Sequence, residues 1–157
     1  MLRLSPKAIF LIMKYTKGTI GRVFLLKFED NDILIDRLSD FAKAERIKAA
    51  TMIFIGALRK GDLVTGPKEP VIPPQPNKMT FKDGWEAMGM GTIFANAAGP
   101  QIHIHASMGK KKQALMGCLR GKSKVFLVIE AIVLELKGVK ASKDIDPKTS
   151  LNLLHVF

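Results

Sequence analysis

The chain has 157 residues, enough for one domain with a real core, and ordinary globular proportions of hydrophobic (47%) and charged (25%) residues. Its formal charge of +11 and sequence pI of about 9.9 point to a polyanionic partner (nucleic acid, an acidic membrane surface or an anionic substrate), with a solvated lysine-rich surface as the plain alternative. The single cysteine, Cys118, excludes an intrachain disulfide and suits a reducing compartment, and the apolar run at 8–13 is too short to cross a bilayer or to form a signal-peptide core.

Residues 1–12 fit poorly with the rest of the chain and are expected to be an N-terminal extension of a domain spanning 13–157. Residues 19–28 read as a strand; Val23, Phe24, Leu25 and Leu26 make it apolar on both faces, so both are expected to be covered. Glu29-Asp30-Asn31-Asp32 reads as a turn that supplies a helix N-cap. The clearest helix comes next, over 33–47, with Leu34, Leu38, Phe41 and Ala42 on one stripe. A strand is expected at 49–58, then a turn at Arg59-Lys60-Gly61-Asp62 and a short return strand at 62–65. The segment 66–77 holds Pro67, Pro70, Pro73, Pro74 and Pro76 and reads as an extended surface loop.

Short strands are expected at 79–82 and 85–94, the latter carrying Gly89 and Gly91 as marks of a bulge or a close backbone approach. Further strands are expected at 103–108, 114–119 and 125–136. The tail, 144–157, carries Leu151, Leu153, Leu154, Val156 and Phe157 and is expected to dock on the domain. One principal helix among many strands gives an α+β fold built on a mainly antiparallel sheet.

The chemistry concentrates in Gly99-Pro100-Gln101-Ile102-His103-Ile104-His105-Ala106-Ser107. Polar and apolar residues alternate there, so His103 and His105 share one strand face. Two such imidazoles can bind one metal ion, and zinc then wants a further protein ligand. A hairpin through Lys110-Lys111-Lys112 can return Cys118 to them. Two readings stand on spacing alone: a metal site, or two exposed histidines and an inert core thiol.

This segment, with Gly21-Arg22-Val23-Phe24-Leu25-Leu26, Ile55-Gly56-Ala57-Leu58, the late Val-Ile-Glu strand and the ending Asp146-Pro147-Lys148-Thr149-Ser150-Leu151-Asn152-Leu153-Leu154, resembles the PPC (plants-and-prokaryotes-conserved) domain family from about Met13 onward. The resemblance implies an α+β fold that assembles as a homotrimer, and a DNA-binding role as prokaryotic members are described. In plants the domain accompanies AT-hooks; this chain has no Gly-Arg-Pro hook core, and Gly21-Arg22-Val23 lies within a strand. Prokaryotic relatives follow the His-x-His strand with Gly-Gly-His-Leu. Here the segment is Met116-Gly117-Cys118-Leu119, so Cys118 stands where the third histidine would be and keeps a zinc-compatible ligand there.

The expected function is therefore a cytoplasmic, non-enzymatic PPC-domain homotrimer with a DNA-binding or regulatory role. Lys110, Lys111 and Lys112, with Arg120, Lys122 and Lys124, would engage phosphates without reading sequence. The alternative is a metal-dependent pocket protein or enzyme holding zinc on His103, His105 and Cys118. In it Glu86, at the acidic position after a Gly-aromatic pair in relatives, would be the general base, and Arg59 would hold an anionic substrate. A trimeric scaffold that binds another protein is the third reading.

Overall fold

The computed structural model describes residues 13–157; the expected extension at 1–12 lies outside the described residues. The elements in chain order are β1 (Thr19–Glu29), α1 (Leu34–Ala44), β2 (Ala49–Pro67), β3 (Pro76–Phe81), β4 (Trp85–Asn96), β5 (Gly99–Lys110), β6 (Gln113–Lys137), β7 (Ala141–Ile145) and β8 (Asn152–Val156). The first six strands form one antiparallel sheet in the order β1-β6-β5-β4-β2-β3. β2 also pairs with β6, so the ladders β2–β4, β4–β5, β5–β6 and β6–β2 make a closed circuit. This is the α+β, mainly antiparallel fold with one principal helix that the alternating patterns predict.

The interior follows from strand alternation. Leu58, Leu63, Ile93, Ile104, Leu119, Val125, Ile129 and Val133 point inward and are fully buried. α1 seals this core with Leu34, Leu38 and Ala42, while Phe41 meets Phe24 of β1 edge-on at 5.1 Å between ring centroids. The helix is shorter than its apolar pattern suggests: Arg46 takes a left-handed φ of 55° and ends it. The N-cap is Ile33, not one of the preceding polar residues, and it carries no side-chain cap. Asp32, the nearest candidate, is committed elsewhere: its carboxylate accepts from the Glu29 N–H at 3.0 Å and from Arg37 Nε at 2.8 Å.

One expected turn is strand instead, and two expected strands are one. β2 continues through Arg59-Lys60-Gly61-Asp62: Lys60 and Asp62 pair with β6, Gly61 and Asp62 pair with β3, and the β2–β6 register shifts twice on the way. Gly61 serves a close approach rather than a turn, since a Cβ there would lie 2.6 Å from Ser123 Oγ and 2.9 Å from the Phe81 ring. Likewise 114–119 and 125–136 are parts of one strand, β6, which bends at Gly121 (φ 58°) and bulges at Leu127 (φ 60°).

One outer face of the sheet is apolar and open. Leu25, Ile132, Ile53 and Met90 are successive cross-strand partners, exposed by 80%, 38%, 49% and 64%. Only the inner side of β1 is covered within the described chain; Val23 and Leu25 face outward. The tail forms a hairpin of β7 and β8 against β4 and β5, held by Asn96 Nδ2 donating to the Lys143 carbonyl at 2.8 Å and Asn152 Nδ2 donating to Gln101 Oε1 at 2.7 Å.

Candidate metal centre

β5 places His103 and His105 on the outer side of the sheet because Ile102, Ile104, Ala106 and Met108 take the inner positions. β4 can approach β5 closely because it has glycine at two of the facing positions. A Cβ on Gly89 would fall 2.7 Å from the His105 carbonyl oxygen, and one on Gly91 would fall 2.9 Å from that of His103. On the other side β6 pairs in register, so Cys118 is the direct partner of His105. Direct partners point to the same face of a sheet, which returns the thiol to the imidazoles.

The three ligand atoms lie within 4.8 Å of one another. His103 Nε2 and His105 Nε2 are 3.2 Å apart, with the rings nearly perpendicular at 81°. Two nitrogens bound at ~2.0–2.1 Å to one tetrahedral zinc ion would lie about 3.3 Å apart, so the pair already has the bite of a metal site. The residues present therefore fit zinc: two borderline nitrogen donors, one soft sulfur donor and no carboxylate in the cluster. Three protein ligands leave one coordination position open.

The electrostatics favour the ligand forms unequally. His103 is pushed down to about 4, first by burial and then by the positive charges of Lys143, His105 and Arg120, so it is neutral at neutral pH. Burial pushes the Cys118 thiol up, against the opposing pull of Arg120, Lys143 and a hydrogen bond with the Ile104 backbone. Lys143, on β7, is only 8% exposed, and its pKa is lowered chiefly by that burial. Two cations thus flank the centre, and they suit an anion in the open position.

The other sequence-predicted residues lie elsewhere. Glu86 faces Gly109 across the β4–β5 ladder, whereas His105 faces Met90, four positions and ~13 Å along the strand. Glu86 and Arg59 line a different cavity, together with Trp85 and Phe126. The general base and anion clamp expected at the metal are therefore not brought to it. Lys110, Lys111 and Lys112 form the β5–β6 turn; Arg120 and Lys122 flank the bend of β6, and Lys124 pairs with Lys60. Arg120, expected on a nucleic-acid surface, acts electrostatically on His103 and Cys118. Lys143 was not foreseeable: it sits in the tail with no local motif, and only the packing of β7 against β4 brings it in.

The family model of the Plants and Prokaryotes Conserved (PCC) domain matches residues 15–137, most of the chain. The chain belongs to this family. No functionally curated protein matches it. Among solved PCC-like folds, a metal-containing protein of Archaeoglobus fulgidus superposes with a TM-score of 0.80 at 26% identity, covering 91% of this chain and 99% of that one. A plant- and prokaryote-conserved protein of Pyrococcus horikoshii gives a TM-score of 0.80 at 23% identity, covering 92% and 99%. A Ralstonia eutropha protein named as a proposed DNA-binding protein gives 0.71 at 21% identity, covering 85% and 90%. The last two likenesses show the PCC fold alone. No helix among the described residues is long and apolar enough to cross a membrane.

Proposed function

We propose that this PCC-domain protein holds a zinc ion on His103, His105 and Cys118 and binds an anion at the open coordination position. The observation that carries the reading is the 3.2 Å separation of the two Nε2 atoms beside the buried thiol. The metal-containing protein of Archaeoglobus fulgidus, 26% identical, supports it. Bound zinc would supply Lewis acidity and charge at this position. The chain's own part is to keep His103 neutral by burial, to aim both Nε2 atoms at one point, and to attract an anion with Lys143 and Arg120. With Glu86 ~13 Å away along β4, the reading is of a ligand-binding centre without a general base. Zinc titration against a chromophoric chelator tests it: the wild type should withdraw one ion per protomer, and Cys118→Ala should not compete at the same chelator concentration.

A second reading is a cytoplasmic homotrimer that binds DNA. The exposed row Leu25, Ile132, Ile53 and Met90 supports self-association, because a monomer rarely leaves so continuous an apolar stripe in water. The basic β5–β6 turn and the naming of the Ralstonia eutropha neighbour as a proposed DNA-binding protein support DNA as a partner. Fluorescence anisotropy with a mixed-sequence duplex at low salt tests it; no binding there removes DNA as a partner.

A further inference from the structure

We propose that the cavity between the β3–β4 and β5–β6 turns is a second ligand site, for a small phosphomonoester with a flat ring, of the nucleoside monophosphate type. It is separate from the metal centre and does not depend on it. The cavity measures about 690 Å³, within the range of small-molecule sites. Its charged lining is five cations, Arg59, Lys60, Lys82, Lys110 and Lys111, against the two carboxylates Asp83 and Glu86. Trp85 and Phe126 supply flat apolar walls.

Arg59 is the anchor. Its Nη2 donates to both oxygens of Asp30, at 2.7 and 3.0 Å, and its guanidinium lies over the Phe126 ring at 4.7 Å. Asp30 is itself fixed, accepting from the Leu127 N–H at 2.9 Å and from Asn31 Nδ2 at 2.6 Å. The guanidinium is thus preorganised, and the Arg59 side chain keeps 39% of its surface exposed. An exposed planar fork held in place suits a phosphate oxygen. Lys110 is held at the same cavity: its Nζ donates to the Asp83 carbonyl and stands 5.9 Å from the Trp85 ring centroid.

Two hairpin turns and the β6 bulge rim the cavity, and each uses a positive φ. Asp83 (φ 70°), Lys111 (φ 54°) and Leu127 (φ 60°) are all left-handed without being glycine. Asp30 fixes Leu127 directly through the hydrogen bond to its N–H. The divided lining favours a small ligand over a polymer. A phosphomonoester brings up to two negative charges to the Arg59 and lysine side, hydroxyls can donate to Glu86, and a ring can lie against the apolar wall. A duplex offers singly charged diesters on a convex cylinder that cannot enter a concave site.

Trp85 is the only tryptophan in the chain, so its emission reports on this cavity. Metal-replete wild type is titrated with adenosine monophosphate, adenosine, inorganic phosphate and a short mixed-sequence duplex, with calorimetry as an independent readout. The expected result is saturable binding of adenosine monophosphate, weaker binding of phosphate and none of adenosine. Affinity for the mononucleotide should fall at least ~10-fold in Arg59→Ala and in Lys110→Ala, the second variant leaving the Asp30 contacts intact. His103→Ala, at the metal centre, should bind it as wild type does. No saturable binding by either readout overturns the proposal. So does unchanged affinity in both cavity variants, or duplex binding that depends on Arg59 while the mononucleotide gives none.

Discussion

Cys118 stands directly opposite His105 in the β5–β6 ladder, and His105 in turn stands opposite Met90, the last member of the exposed apolar row that begins at Leu25. The candidate metal centre therefore sits at the end of a face that the protomer leaves uncovered. Closing that face against other copies would change the solvent exposure of His105, which is open in the protomer.

Assembly should depend on this row. Replacing Leu25 or Ile53 by aspartate puts a charge at the centre of the open face and should convert a homotrimer into monomers, as read by multi-angle light scattering. Ser107→Ala, on the same face but off the row, should leave the mass unchanged. A wild type that is monomeric at micromolar concentration contradicts the homotrimer.

Gly89 ties the fold to the site. In Gly89→Ala the new methyl would meet the Phe54 ring at 2.4 Å and the His105 carbonyl at 2.7 Å. Overpacking of this kind costs about 1–3 kcal/mol. The midpoint of chemical denaturation should fall, and zinc affinity should fall with it because β5 is pushed away from β4. Gly109→Ala, at a position with nothing within 4 Å, should do neither.

Acid stability should turn on Glu135. Arg22 donates to its carboxylate from Nε at 2.9 Å and from the backbone N–H at 3.2 Å, and holds it down to about 2. Because the folded value lies below the ordinary one of 4.5, the stabilisation is complete above the ordinary value and is lost as pH falls toward about 2. Denaturation midpoints should drop between about pH 5 and about pH 2 in the wild type, and by less in Glu135→Gln, which is weaker at neutral pH from the start.

Metal affinity should rise with pH. His103 is already neutral above about 4 and has no proton to lose near neutrality, whereas the Cys118 thiol, which burial has raised, must lose one. Zinc binding should release at least one proton per site at neutral pH, measured by calorimetry in buffers of different ionisation enthalpy. Removing Lys143 or Arg120 as methionine and glutamine variants should weaken anion binding at the centre more than zinc binding.

If the charged turn serves DNA, replacing Lys110, Lys111 and Lys112 by alanine should flatten the dependence of affinity on salt by about 0.9 for each phosphate no longer neutralised. Fluorescence anisotropy over a salt series gives the slope directly.

Much of this was legible in the chain. Alternation at 102–108 pointed to the strand, its face and the paired imidazoles, and the Lys110-Lys111-Lys112 turn supplied the return that places Cys118. The stripe Leu34, Leu38 and Ala42 marked the helix and its buried side. At the misread turn, tertiary pairing overrides local turn chemistry. Arg59-Lys60-Gly61-Asp62 has a turn's composition, but pairing of Gly61 and Asp62 with β3 and of Lys60 and Asp62 with β6 keeps it extended. That continuation leaves Arg59 over Phe126, in the cavity it lines. Lys143 had no signal at all, because its position depends on a hairpin docking against a strand almost fifty residues earlier.

The zinc centre is tested most directly by X-ray absorption at the zinc edge on protein loaded with one equivalent of zinc. Two nitrogen scatterers at ~2.0–2.1 Å and one sulfur at ~2.3 Å are expected, with the sulfur shell absent in Cys118→Ala. A wild-type spectrum with a first shell of oxygen and nitrogen alone, or one that Cys118→Ala leaves unchanged, would contradict the assignment of His103, His105 and Cys118 as the ligands.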